Sequence, residues 1–256
     1  MAIVRILLLV LCLGSGLVAA EQQPLHLKFV SSHFAGISEL IEQDGKAVPQ
    51  GLGVDIVNKI AEMLAIKIDI EILPFKRALI SMKNRKFDAI FGVYKKADRE
   101  QYLDFIDVVF FVDNYLFYGN AASTLHWDGN MSHFPKNAKL GWITGWSYFD
   151  ELYAMKDQVN KIQVNNLEST LRMLHKGRLD LTVGPIRDIN PLINRLGLGS
   201  GLKLVSAGHG ETGNYIAFAK GRHKELQVKV RDALTRILNL PWYQQRLKHY
   251  QLDSIL

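Results

Sequence analysis

One unit occurs twice in this chain, and it limits the fold more than any other feature. Leu79-x-x-Met82-Lys83 is followed by Phe87-Asp88-Ala89-Ile90-Phe91-Gly92. Leu171-x-x-Leu174-His175 is followed by Leu179-Asp180-Leu181-Thr182-Val183-Gly184. Each copy reads as an amphipathic helix, a short basic turn, an Asp, an apolar strand and a Gly. Two copies predict two similar α/β lobes. If each Gly ends its strand, the loops after Gly92 and Gly184 face each other across a cleft, and ligands of open α/β sheets bind beyond strand ends. Helix–turn–strand units with an Asp in the turn are nevertheless common, so the repeat alone does not establish a binding cleft.

The flanking pattern is of the same kind. Residues 25–30 read as a strand and 31–45 as a polar loop containing Phe34. A helix is expected over 54–64, where Val54, Val57, Ile60, Ala61 and Leu64 fall on one face. Ile66, Ile68, Ile70 and Ile72 alternate with Lys67, Asp69 and Glu71, a half-buried strand that Pro74 stops. A helix over 77–83 and a strand over 87–91 complete the first series. A second series places strands at 140–143, 161–164 and 179–183 and helices at 148–155 and 167–175. Strands alternating with helices predict parallel βαβ units. The aromatic strand 108–120 leaves the first lobe, 215–220 is a strand, and helices at 224–238 and 242–250 are split by Pro241. The expected division is a leader over 1–20, a first lobe from 21–114 and 215–256, and a second lobe over 115–214. The two crossings, near Tyr115 and Asn214, would form a hinge.

The leader follows from Arg5, the apolar run 6–13 and the small-residue end Leu17-Val18-Ala19-Ala20 before Glu21. That run is shorter than the ~20 apolar residues of a membrane-spanning helix. The single cysteine, Cys12, lies inside it. A lipid-anchored Cys12 would call for a small residue before it, and Leu11 is bulky. Cleavage after Ala20 would leave an exported chain without disulfide, thiol nucleophile or thiolate metal site. The net charge of +6 comes from scattered Lys and Arg, and no nucleic-acid motif accompanies it. The eight His residues show no metal-ligand spacing, and Gly197-Leu198-Gly199-Ser200-Gly201 matches neither a phosphate loop nor a nucleophile elbow. No metal or cofactor is expected.

Arg99 is the sharpest single residue. In Gly92-Val93-Tyr94-Lys95-Lys96-Ala97-Asp98-Arg99-Glu100 it stands near a helix start, where a cation opposes the helix dipole. A guanidinium can grip a carboxylate through two parallel bonds. The plain alternative is a surface Arg paired with Glu100 or Asp104.

Several motifs in order give the chain a resemblance to the family 3 extracellular solute-binding proteins of bacterial amino-acid transporters. They are Gly51-Leu52-Gly53-Val54-Asp55-Ile56, Lys86-Phe87-Asp88-Ala89-Ile90, Ala97-Asp98-Arg99, Asp104-Phe105, Thr144-Gly145 and Gly177-Arg178-Leu179-Asp180. The resemblance implies a type II periplasmic binding fold, two α/β lobes joined by a two-strand hinge. It implies that Arg99 binds a ligand carboxylate, that Phe75 stacks on the ligand, and that Gly92 and Tyr94 supply strand-end contacts. In lobe two it implies contacts from Gly145, Trp146 and Ser147. Ser147-x-x-Asp150 also fits a capping box, so Ser147 either caps a helix or meets an anion. Phe34 and Trp146 are aromatic wall candidates, whereas Trp142 reads as core.

The chain departs from the family where an amino-acid binder carries an acid for the α-ammonium. Pro185 stands at that place, with Asp188 three residues on, and the other family acid falls on Ser31 or Ser32. Arg77 adds a second cation near the expected cleft. These departures favour an organic acid, a dicarboxylate or a modified amino acid. The implied function is a non-catalytic, monomeric periplasmic protein that hands its solute to an ABC permease. The alternatives are a ligand sensor for a membrane receptor and a cyclohexadienyl dehydratase-like enzyme, for which Glu211 or Asp188 would be the general acid.

Overall fold

The computed structural model describes residues 25–253. The leader and Cys12 lie outside the described residues. In the first lobe, β1 (His26–Ser31), α1 (Leu52–Leu64), β4 (Lys67–Ile72), α2 (Phe75–Lys83) and β5 (Ala89–Val93) form two βαβ units. A hairpin of β2 (Glu39–Gln43) and β3 (Lys46–Gln50) precedes α1. That hairpin lies partly in the expected polar loop. Its signal was Asp44-Gly45, whose φ values of 51° and 72° suit the two-residue turn that such a pair favours. Helix α1 buries Leu52, Ile56, Val57 and Ile60. It begins at Gly51, where φ is 135° and a Cβ would lie 2.4 Å from the Ile37 backbone, so only glycine fits. The short α3 (Ala97–Glu100) and β6 (Leu103–Phe105) follow.

The chain crosses on β7 (Phe111–Asn120), which is shorter at its start than the expected strand. The second lobe repeats the arrangement with β8 (Leu140–Ile143), α4 (Asp150–Ala154), β9 (Lys161–Val164), α5 (Leu167–His175), β10 (Leu181–Pro185) and α6 (Ile186–Arg195). Helix α6 has no counterpart in the sequence pattern because Pro191 stands inside it. The return strand β11 (Leu202–Ala219) leads to α7 (Lys224–Leu238) and α8 (Pro241–His249), which rejoin the first lobe. Arg246 and Tyr250 of this end bond Asp55 of α1 at 2.6 and 2.8 Å.

Strand order is β4-β1-β5-β11-β7-β10-β8-β9. In each lobe the first strand is central and its two parallel partners flank it. The long strands β7 and β11 pair antiparallel between the halves. Both contain the expected crossing residues, Tyr115 and Asn214. Helices cover both faces of each half-sheet, with apolar clusters beneath α1 and α7, beneath α2, and on either side of β10.

The repeated Asp has a structural role in both lobes. Lys28 N–H donates to Asp88 Oδ2 at 2.8 Å, and Asp88 N–H donates back to Lys28 O at 2.8 Å. Asp180 makes the same exchange with Lys139, at 2.7 and 2.9 Å. Each Asp thereby ties the turn before its own strand to the start of the neighbouring parallel strand. Gly92 and Gly184 are each the next-to-last residue of β5 and β10, so both strand ends open on the space between the lobes.

Candidate functional site

A cavity lies where those strand ends meet. Phe34, Phe75, Gly92, Tyr94 and Arg99 line it from the first lobe, and Trp146, Ser147, Pro185, Arg187 and Asp188 from the second. Its volume is about 20 Å³, room for roughly one water. Gly92 has φ 72°, and a Cβ there would sit 3.3 Å from the Phe34 ring. Glycine thus lets the chain turn while Phe34 closes over it. Phe34 and Phe75 meet edge to face at 5.7 Å.

Arg99 is only 2% exposed, although it belongs to a one-turn helix. Its Nη1 donates to Tyr94 O at 2.9 Å and its Nη2 to Ser147 Oγ at 2.8 Å. The guanidinium carbon lies 5.1 Å from the Phe75 ring centre. Among the described residues its Nε has no partner, and no carboxylate pairs with it. Glu100 and Asp104, the acids of the plain alternative, pair with Lys95 and Lys220. Burial lowers the Arg99 pKa from its usual value, yet a guanidinium stays charged at neutral pH. The result is a buried cation held by neutral groups, with its Nε left without a partner. Buried charges are normally paired, so this arrangement suits an incoming anion.

The second buried cation is the opposite. Arg187 Nε and Nη2 bind Asp113 Oδ1 and Oδ2 at 2.6 and 2.9 Å. Its Nη1 donates to Asp188 Oδ1 at 3.0 Å. Asp113, 1% exposed, also accepts from Tyr94 Oη at 2.7 Å and Asn214 Nδ2 at 2.8 Å. Because Asp113 lies on β7 and Asn214 on β11, both crossing strands fix this carboxylate. Burial by itself would lower the Arg187 pKa, but Asp113 and Asp188 outweigh it and hold it well above the ordinary value. Burial pushes the Asp188 carboxyl up to about 6 despite the opposing Arg187 charge.

The lobes touch through these same residues. Ala35 N–H donates to Asp188 Oδ1 at 3.0 Å, Arg99 reaches Ser147, and Lys96 pairs with Asp150. The Arg187 guanidinium also lies over the Phe34 ring at 5.4 Å.

Some expectations from the sequence change here. Ser147 is not a helix cap: α4 starts at Asp150 after Phe149, without a side-chain cap, because the Ser147 hydroxyl is turned to Arg99. Gly145 is exposed with φ 84° and lies outside the cavity lining. Arg77 is exposed on α2 and also lies outside the lining, although Phe75 of the same turn belongs to it. Arg187 is the second cation of the cleft instead. Glu211 is exposed on β11, whereas Asp188 lines the cavity. Ser31 is buried and donates to Phe91 O at 2.9 Å. Trp142 is buried core. Sequence reasoning missed Asp113, Arg187 and Asn214. Asp113 in an otherwise aromatic strand was the available signal, because a charge seldom enters such a strand without a buried partner.

The family model for bacterial extracellular solute-binding proteins, family 3, matches residues 20–253. The chain belongs to that family. Its fold is that of the amino-acid ABC transporter substrate-binding proteins. An ancestral arginine-binding protein bound to arginine is 20% identical, with a TM-score of 0.71, over 88% of this chain and 97% of that one. A substrate-binding protein of an amino-acid ABC transporter from Streptococcus pneumoniae, bound to L-arginine, is 16% identical with a TM-score of 0.70, over 90% and 96%. A histidine kinase sensor domain similar to periplasmic binding proteins is 14% identical with a TM-score of 0.70, over 88% and 95%. No curated protein matches. Among the described residues no helix is long and apolar enough to cross a membrane, and no group of three His, Cys, Asp or Glu is placed to hold a metal.

Proposed function

We propose that this family 3 protein captures a small carboxylate-bearing solute between its lobes, in the periplasm, and presents it to an ABC-type permease as a monomer without catalysis. The observation that carries this reading is Arg99: a buried guanidinium with neutral partners and an unpartnered Nε, at the junction of both lobes. A ligand carboxylate there would supply the missing countercharge and join Arg99 and Ser147 across the cleft. Phe75 and Trp146 would form the apolar walls. The relatives bound to arginine make amino acids the first class to try. The lobes, with boundaries within β7 and β11, would move as units about those strands. The leader over 1–20 supports export, and the family supports a permease partner.

Calorimetric titration of the mature protein against carboxylic acids and their methyl esters tests this. Acids should bind and esters should not, and Arg99→Met should abolish the difference. A ligand at a hundred times its Kd would also raise stability by ~2.7 kcal/mol. Equal binding of acid and ester would refute the carboxylate grip.

An enzyme on this fold has one observation in its favour. Asp188, with its carboxyl pKa raised to about 6 by burial, holds a proton in the cavity below that pH and suits a general acid. Product formation from prephenate or arogenate, lost in Asp188→Asn, would establish it. The small cavity weighs against so large a substrate. The likeness to a histidine kinase sensor domain supports the receptor alternative, which co-purification with a receptor rather than a permease would separate.

A further inference from the structure

Lys and Arg are spread along the whole chain, but the acids that balance them skip one stretch. Residues 75–87, helix α2 and the turn after it, hold Lys76, Arg77, Lys83, Arg85 and Lys86 and no Asp or Glu. Of the 31 Lys and Arg, Arg5 lies in the leader and these five lie here; the other 25 are matched by 25 Asp and Glu. The net charge of the chain beyond Ala20 is therefore the charge of this one stretch. All five cations are exposed. Among the described residues none of them has an ion pair, because nearby acids are already taken: Asp88 pairs with Arg222 and His223, and Asp104 with Lys220. Lys83 lies over the Tyr102 ring at 4.8 Å, and Arg85 Nη2 donates to Lys220 O at 3.5 Å, but neither contact supplies a countercharge. The corresponding helix of the second lobe, α5, differs: its Glu168 pairs with Arg172 and Arg195.

Helix geometry gathers this charge on one side. Ala78, Ser81 and Met82 are buried, so Lys76, Ile80 and Lys83, spaced i, i+4 and i+7, share the outer face with Arg77. Ile80 stands among these cations 48% exposed. The inner stripe is committed to the first lobe, where Ala78 and Met82 pack with Val30 and Ile90. Helix α2 therefore cannot turn over and insert into a bilayer, but it can lay its outer face on one. We infer that this face docks the protein onto an anionic phospholipid surface, with the cations at lipid phosphates and Ile80 at the headgroup boundary. No ion pair fixes the direction of any of the five side chains, which suits a fluid array of headgroups better than the set geometry of one acidic protein. A second copy has no net charge outside the same stretch, so it offers this face no general attraction. The inference goes beyond the cleft and stands whichever solute the cleft takes.

Vesicle flotation tests this. The mature protein is mixed with vesicles of phosphatidylcholine alone, or of phosphatidylcholine and phosphatidylglycerol in equal parts, at low and at physiological salt. It should float with the anionic vesicles, stay behind with the neutral ones, and be weakened by salt. Each cation near such a surface raises partitioning by about fivefold. The triple variant Lys76→Gln with Arg77→Gln and Lys83→Gln should therefore bind anionic vesicles on the order of a hundredfold more weakly. Lys139→Gln with Lys176→Gln and Arg178→Gln removes as much charge from exposed sites of the second lobe and should cost less than about threefold, because those charges lie away from the contact. Gln keeps a helix propensity close to that of Lys and Arg, and circular dichroism checks that both variants fold. Equal binding to neutral and anionic vesicles overturns the inference, as does no binding to anionic vesicles at low salt. Equal losses in the two triple variants overturn the role of α2, since net charge alone would then explain the binding. Soluble polyglutamate bound through α2, with vesicles left unbound, would overturn the lipid surface in favour of an acidic protein segment. A dimer in sedimentation that the α2 variant dissolves, again without vesicle binding, would overturn it in favour of a second copy.

Discussion

Arg99 and Arg187 make the informative comparison in this molecule. Each is a buried guanidinium beyond a strand–Gly end, one per lobe, and each lies over a phenylalanine ring. Arg187 has two carboxylates. Arg99 has a carbonyl and a hydroxyl. The first has its countercharge within the protein, from Asp113 on a crossing strand and from Asp188. The second lacks a countercharge, which is the state expected of a binding group. Burial therefore does not distinguish the two cations; their partners do.

The largest effect that would sharpen this contrast is on stability. Asp113→Ala should destabilise the protein by about 3–5 kcal/mol, because it takes the bidentate partner from a buried guanidinium and leaves it Asp188 alone. That is a fall on the order of 10 °C in Tm, readable by calorimetry. Arg99→Met should leave Tm level or raise it, since it removes a desolvated charge without a carboxylate partner. If Arg99→Met were as damaging as Asp113→Ala, the contrast would be broken. The same Arg99→Met variant should weaken carboxylate binding at least about a hundredfold, the loss of two charge-assisted bonds.

Asp188 gives the next effect. Its folded pKa of about 6 lies above the ~3.9 of an unfolded Asp. Between those values the folded chain holds more protons than the unfolded one, so this group makes stability fall as pH rises from ~4 to about 6. Asp188→Asn should remove a change on the order of 3 kcal/mol across that window. Denaturant titrations at several pH values would show an unchanged slope if Asp188 were not the cause. Gly145→Ala should cost about 1 kcal/mol through its positive φ and leave Kd alone, because the residue lies outside the cavity lining. Arg77→Ala should change stability by less than about 0.5 kcal/mol and not affect binding. A weakened Kd would return Arg77 to the site.

Much of the fold was legible in the chain. The strands over 140–143 and 161–164 and the helices over 167–175 and 224–238 have the bounds that periodicity predicts. These elements bury one stripe or face, so their apolar spacing records their geometry. The hairpin β2–β3 buries little and escaped the pattern, although its Asp-Gly turn was visible. Helix α6 escaped because Pro191 argues locally against a helix that tertiary packing of Ile189 and Ile193 sustains. Of the site, Arg99, Phe75, Gly92 and Tyr94 follow their strand end in the first lobe and were legible by position. Ser147 was legible as a residue of the site, but its bond to Arg99 was not. Arg77 and Gly145 stand outside the cavity lining, because which way a residue near a turn faces is not written in its spacing.

The sequence by itself determined the two lobes, the crossing strands and the family. These depend on periodicity and on short motifs whose physics is local, such as Asp88 and Asp180 bonding the strand beside them. Only the tertiary structure decided what each charge does. Asp113 and Arg187 are 74 residues apart, and Arg99 and Ser147 are 48 apart. Electrostatic partnership depends on distance and burial in space, and no local pattern records which distant acid has taken a cation and which has left it free.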